Sequence, residues 1–159
     1  MMRLGLTVTV ALSLSLASVA SANIYGGPGG AIPDAPANGT PGVATFLITV
    51  GDAGQVGSFN GLTLSGLAHT FLGDLTATLT APDGTVVTIF DRVGKTSPDS
   101  GFGDSSNFLG TYVFKDGGAG LWAAAAAVNG ATVVANGNYS ASAALTGAAI
   151  SLQAALAGH

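Results

Sequence analysis

The chain has no cysteine, so no disulfide staples its fold and no thiol chemistry is open to it. Charge is almost as scarce. Charged residues make up 8% of the 159, with a formal net charge of -4. The four basic residues, Arg3, Arg92, Lys95 and Lys115, are scattered. Nucleic acid and anionic lipid both need clustered Lys or Arg, so neither is an expected partner. Histidine occurs only as His69 and His159, which leaves little material for acid–base catalysis. No repeat of fixed period is present either.

What is there is glycine, 25 residues of it, together with many Ala, Thr and Ser. The length suits one domain. The composition predicts short strands joined by glycine turns. A low-complexity chain without a fixed core is the competing reading, but 48% hydrophobic residues is more than typical disorder carries.

The N-terminus has the pattern of a secretory signal. Met1-Met2-Arg3 supplies the positive start, Leu4 to Ala17 the apolar core, and Ala20-Ser21-Ala22 the small residues that a signal peptidase inspects. Cleavage is expected before Asn23, making residues 1–22 a signal peptide. As an uncleaved anchor the run is poor, because Ser and Thr dilute it. No stable membrane span is expected after processing. Residues 23–31, with Gly26-Gly27-Pro28-Gly29-Gly30, read as a linker, and order is expected to begin at Ile32-Pro33-Asp34.

The segment His69–Phe90, HTFLGDLTATLTAPDGTVVTIF, reads as one β-hairpin. Leu75, Ala77 and Leu79 alternate with Thr76, Thr78 and Thr80, the period of a strand with one buried face. Ala81-Pro82-Asp83-Gly84 makes the turn: proline pre-sets φ and glycine accepts the left-handed conformation. Thr85 to Phe90 returns as a β-branched partner strand. Elsewhere, strands are expected at Thr45–Val50 (TFLITV), at Gln55–Leu64 with Val56, Leu62 and Leu64 toward the core, at Thr111–Lys115, and as a β-like patch over Val128–Ala135. Arg92–Gly110 is expected as a long loop, Asp116–Gly120 as a turn and Ala123–Ala127 as a helical turn. Leu121 and Trp122 are expected to cover an edge of the core. Short strands of this kind suggest an all-β, antiparallel β-sandwich, jelly-roll-like in outline.

Catalytic constellations can be tested directly. A serine hydrolase needs nucleophile, base and orienting acid in one geometry. His69 is the sole plausible base, since His159 is the final residue and not easily fixed. No Gly-x-Ser-x-Gly elbow and no paired-histidine zinc motif is present. Asp74, Asp83, Asp91, Asp99, Asp104 and Asp116 form no obvious acid/base pair. A structural His69, whose ring caps or hydrogen-bonds a neighbouring loop, is the expectation. Calcium has better material. Asp99–Asn107 is a loop rich in Asp, Ser and Asn, with the oxygen ligands that hard cations want, although it lacks EF-hand spacing and a closing Glu. An ordinary solvated turn explains the same residues. Trp122 and Phe102 would make a sugar or protein platform, or else pack in the core and the loop. The sequons at Asn38 and Asn138 match by pattern alone.

Three motifs together resemble a known module: Ile32-Pro33-Asp34, then His69-Thr70-Phe71-Leu72-Gly73-Asp74-Leu75, then Leu79-Thr80-Ala81-Pro82-Asp83-Gly84-Thr85. They resemble the P domain, or Homo B domain, which follows the subtilisin-like catalytic domain of kexin-type proprotein convertases and also occurs alone in exported bacterial proteins. Asn107–Asp116 and Gly137-Asn138-Tyr139 extend the likeness over residues 32 to 157. The resemblance implies a galactose-binding-domain-like sandwich on the bacterial exterior or in the periplasm. It makes His69, Gly73, Asp74, Pro82 and Gly84 scaffold residues. It brings Asp74, Asp104 and Asp116 forward as candidate calcium ligands, because some P domains carry calcium. The implied partner is a subtilisin-like protease, which this module stabilises in convertases; a surface or matrix component is the other. The family's closing Gly-Thr-Trp segment has no counterpart, so the expected sandwich is short of its last strands, unless Tyr139–Ala157 folds as a helix and covers the gap.

Overall fold

The structure is a computed structural model that describes residues 22–33, 42–99, 101–128 and 130–159. Most of the expected signal peptide (residues 1–21), Asp34 and the sequon at Asn38 lie outside the described residues. The fold is all-β, with two sheets around one apolar core. In chain order the elements are β1 (Leu62–His69), β2 (Thr76–Thr80), β3 (Val86–Asp91), β4 (Phe108–Gly120), α1 (Leu121–Val128), β5 (Gly137–Ser142), β6 (Ala149–Ile150) and α2 (Leu152–Leu156). One sheet has the order β1-β4-β5-β6, and β2 and β3 form the other. All strand pairs are antiparallel except β4–β5.

The β2–β3 hairpin forms as its sequence dictates. The Gly84 N–H donates to the Ala81 carbonyl at 2.9 Å, and the Ala81 N–H to the Thr85 carbonyl at 2.8 Å. Gly84 takes φ +89°, a conformation that costs glycine nothing. The return strand departs from strict alternation. Thr78 pairs with Thr88 but Ala77 with Phe90, so Ile89 is a bulge. The bulge lets two consecutive residues, Ile89 and Phe90, both face inward. His69 is not part of this hairpin: it ends β1 and pairs with Phe108 of β4.

Phe90 carries the junction between the sheets. Its ring lies 5.6 Å from Phe108 and 5.4 Å from Phe114, both on β4. Phe108 stacks on Tyr112 at 3.9 Å. Leu121 and Ala125 of α1 and Leu152 and Leu156 of α2, each an i, i+4 pair, close the core from the two helices.

Several expectations are corrected. Thr45–Val50 forms no strand, and its apolar side chains are exposed. Residues 55–61 are an extended strap held by α2, where the Phe59 N–H donates to Gln153 Oε1 at 2.6 Å; the strand begins only at Leu62. Asp116–Gly120 is a glycine excursion inside β4, across which Tyr139 pairs with both Phe114 and Ala119. Val128–Ala135 gives a single bridge, Asn107 to Val133. Tyr139–Ala157 is not one helix but β5, β6 and the short α2. Phe102 does not pack; it is 76% exposed.

Candidate functional site

The HTFLGDL motif folds into a one-turn knot. Leu72–Asp74 is a 3-10 turn preceded by Phe71 at φ +70°. Leu72 and Leu75 point into the core. The Leu72 N–H donates to the Ser106 carbonyl at 2.7 Å and the Gly73 N–H to the Asp104 carbonyl at 2.8 Å. Arg92 donates twice, from its backbone to Leu75 O at 2.8 Å and from Nε to Gly73 O at 3.2 Å. A Cβ on Gly73 would lie 2.6 Å from the Asp104 nitrogen. The motif therefore ties the hairpin to loop 93–107 by backbone contact, which places Gly73 as scaffold. Pro82 and Gly84 serve the hairpin turn.

Beside this knot, His69 lines an open depression of about 420 Å³ with Ile32, Thr70, Asn107, Phe108 and Leu109. Its Nδ1 is buried and has no hydrogen-bond partner, so the expected capping bond to a loop does not form. Asn107 is fixed on the far side: its Nδ2 donates to Ala131 O at 2.7 Å and its N–H to Thr132 O at 2.8 Å. The lining offers apolar surface, amide and hydroxyl groups, with no carboxylate among them.

The three candidate calcium ligands do not converge. Among the described residues, no three His, Cys, Asp or Glu side chains are grouped so as to hold a metal ion. Asp104 faces its own loop, where Oδ1 accepts from the Ser106 N–H at 2.8 Å. Asp116 sits at the start of α2 and accepts from Ser151 Oγ at 2.5 Å and the Leu152 N–H at 2.7 Å. The Ser151 hydroxyl, and then the Leu152 N–H, hold the Asp116 carboxyl below its ordinary value. Asp74 follows Gly73 in the knot, next to the Gly73–Asp104 backbone bond. The Asp104 and Asp116 carboxylates are thus already bonded, one within its own loop and one across the chain to the start of α2. A second, smaller depression of about 250 Å³ opens at Asp116, Ser140, Ile150 and Ser151.

Sequence reasoning missed the anchoring of His159. Its carbonyl accepts from the Val56 N–H at 2.9 Å, and the Gly158 N–H donates to Val56 O at 3.2 Å. Its Nδ1 lies 2.6 Å from Asp83 Oδ2 at the hairpin turn. The Thr85 N–H first, and His159 second, lower the Asp83 carboxyl. No local signal marks such a pairing across 76 positions. Trp122 packs on the rim of the core, with its indole against Gly147. No helix among the described residues is long and apolar enough to cross a membrane. Comparison of the chain with protein-family models, with characterised proteins and with solved structures finds no match.

Proposed function

We propose that this chain is an exported, non-catalytic P/Homo B-type sandwich module, of jelly-roll-like outline, that stabilises or binds a partner on the bacterial exterior. The observation that carries this reading is the HTFLGDL knot. The HTFLGDL residues are spent on backbone ties and core packing: Leu72 and Gly73 bond to loop 93–107, and Leu72 and Leu75 are buried in the core. A motif used in this way builds a scaffold, and function on a scaffold lies in the surfaces it presents. The partner class is a subtilisin-like protease, and any bond-breaking belongs to that partner. The test is thermal inactivation of a subtilisin-like protease from the same host, with and without the purified module. A longer half-life together with co-elution supports the reading. An unchanged half-life with no co-elution removes it.

A second reading, a surface or matrix structural protein built on the same sandwich, draws on a different observation: the exposed, uncharged run at Val43–Val50. Self-association or retention on carbohydrate would favour it over the first.

A further inference from the structure

Residues 42–50, GVATFLITV, are a β-prone run that lies outside any strand. Val43 is 75% exposed, Leu47 76% and Val50 57%, with Phe46 and Ile48 also exposed. None of these residues takes part in a strand, and none makes a backbone hydrogen bond to another described residue. The run has no charge and no proline. Six or seven such residues left exposed are a template for strand pairing.

The same molecule has an edge that matches. Among the described residues, β2 pairs with β3 alone, on one side. It has no charge and no proline, and the bulge of the hairpin lies on β3. Thus charge, proline and a bulge, which commonly blunt an edge, are missing from β2. The two sequences also share a phase. Thr76, Thr78 and Thr80 are exposed, while Ala77 and Leu79 turn toward the core. In Thr45–Val50, Thr45, Leu47 and Thr49 alternate with Phe46, Ile48 and Val50. A strand made of this run would set Thr45 and Thr49, with Leu47 between them, on the threonine face and Phe46, Ile48 and Val50 on the apolar face.

Within its own chain the run is held elsewhere. Asp52, just beyond it, accepts from Asn23 Nδ2 and Tyr25 OH. Gly27 and Gly30 abut Leu47 and Phe46. We propose that Thr45–Val50 is a donor strand that pairs with the β2 edge of a second copy of this chain. The exchange is reciprocal, so a two-fold dimer closes and uses up both exposed runs and both edges. The exchange needs no protease partner.

The test is sedimentation of the purified protein over a range of concentrations, combined with amide hydrogen exchange. The wild type is expected to form a dimer that dissociates on dilution, with slowed exchange at residues 46–50 in the dimer only. Leu47→Lys, Ile48→Lys and Thr78→Lys place a charge on the donor or on the edge. Each is expected to raise the dissociation constant about tenfold or more, with the near-ultraviolet signal of Trp122 unchanged. Leu47, the most exposed apolar residue of the run, keeps the test valid if Ile48→Lys disturbs the fold. A protein that is monomeric at every concentration overturns the proposal. So does slowed exchange at 46–50 in the monomer, which would mean pairing within one chain. So does a dimer that Thr78→Lys dissolves and Leu47→Lys does not, which would mean β2 against β2.

Discussion

Phe90 of β3 stands edge-on to Phe108 of β4, with ring centroids 5.6 Å apart and planes at 78°. Phe90 also meets Phe114 at 5.4 Å, so one side chain of β3 packs on two rings of the other sheet. Removing the ring empties the centre of the core, where Phe108 and Phe114 have no exposed surface. Phe90→Ala is expected to cost about 3–5 kcal/mol, a large share of the about 5–15 kcal/mol that a domain has. Urea denaturation followed by Trp122 fluorescence measures it. A loss under about 1 kcal/mol would show that the sheets do not depend on this junction.

Gly73 tests the knot. A Cβ there meets the Phe102 carbonyl oxygen and lies 2.6 Å from the Asp104 nitrogen, both of them backbone atoms. Backbone cannot rotate aside as a long side chain can. Gly73→Ala is expected to destabilise by about 1–3 kcal/mol by pushing loop 93–107 off the hairpin. Gly84→Ala tests a different cause, the positive φ of the turn, and is expected to cost about 1 kcal/mol. Melting temperatures of the two variants against wild type check both.

Tyr112 is fully buried, and its hydroxyl accepts from the Leu109 N–H at 3.0 Å and donates to Val134 O at 2.8 Å. Tyr112→Phe leaves the Val134 carbonyl without this donor, at an expected cost of about 1–3 kcal/mol. The same burial gives an alkaline signature. Burial raises the Tyr112 phenol, against the opposing Leu109 N–H, and burial raises Tyr139 too. A group with a raised folded value contributes stability that is fully present below the unfolded value of 10.0. That stability is lost as the pH rises through the folded value. The melting temperature is therefore expected to fall above about pH 10, and less so in Tyr112→Phe.

Calcium is expected to leave the protein unchanged. Among the described residues, Asp74, Asp104 and Asp116 do not group as a metal site, and Asp104 and Asp116 are already bonded to Ser106 and to Ser151 with Leu152. A hard cation needs several oxygens at once. Calorimetric titration in millimolar calcium should show no heat, and the melting temperature should not move. Binding with a raised melting temperature would restore the loop as a metal site.

The hairpin was legible because its determinants are local. Alternating Thr with Leu and Ala, and a Pro-Asp-Gly turn, need nothing beyond ten or so residues to act. The all-β class followed from the same signals. Thr45–Val50 shows the limit: its propensity is high, but a strand exists only where a neighbour supplies hydrogen bonds, and propensity does not name the neighbour. The bulge at Ile89, set against β2, and the glycine excursion in β4, set against β5, are equally silent in the sequence, since alternation does not mark where a ladder slips. At the candidate site, His69 and Gly73 could be singled out by residue type, but the depression around His69 depends on Ile32 and Asn107, brought there by the fold. Asp116 reads as a metal ligand until α2, across 35 positions, delivers Ser151 to it.

That pairing also sets the acid limb of stability. Asp116 is lowered from 3.8 chiefly by the Ser151 hydroxyl, and Asp83 from 3.8 chiefly by the Thr85 N–H and then by His159. A carboxyl whose folded value is depressed contributes stability that is complete above its unfolded value. That contribution disappears as the pH falls through the folded value. Asp116→Ala frees Ser151 and the Leu152 N–H at the start of α2, and Asp83→Ala frees the hairpin turn from His159 and Thr85. Both groups are solvent-exposed, so each effect is expected to be a modest drop in melting temperature, screened by salt in the case of the His159 pair. The diagnostic is the pH dependence. The gap between wild type and each variant should be open at neutral pH and closed by about pH 2, where both carboxyls are protonated. A gap that persists unchanged in acid would mean that the carboxylate charge does not carry these contacts, leaving the geometry of α2 and the turn to packing alone.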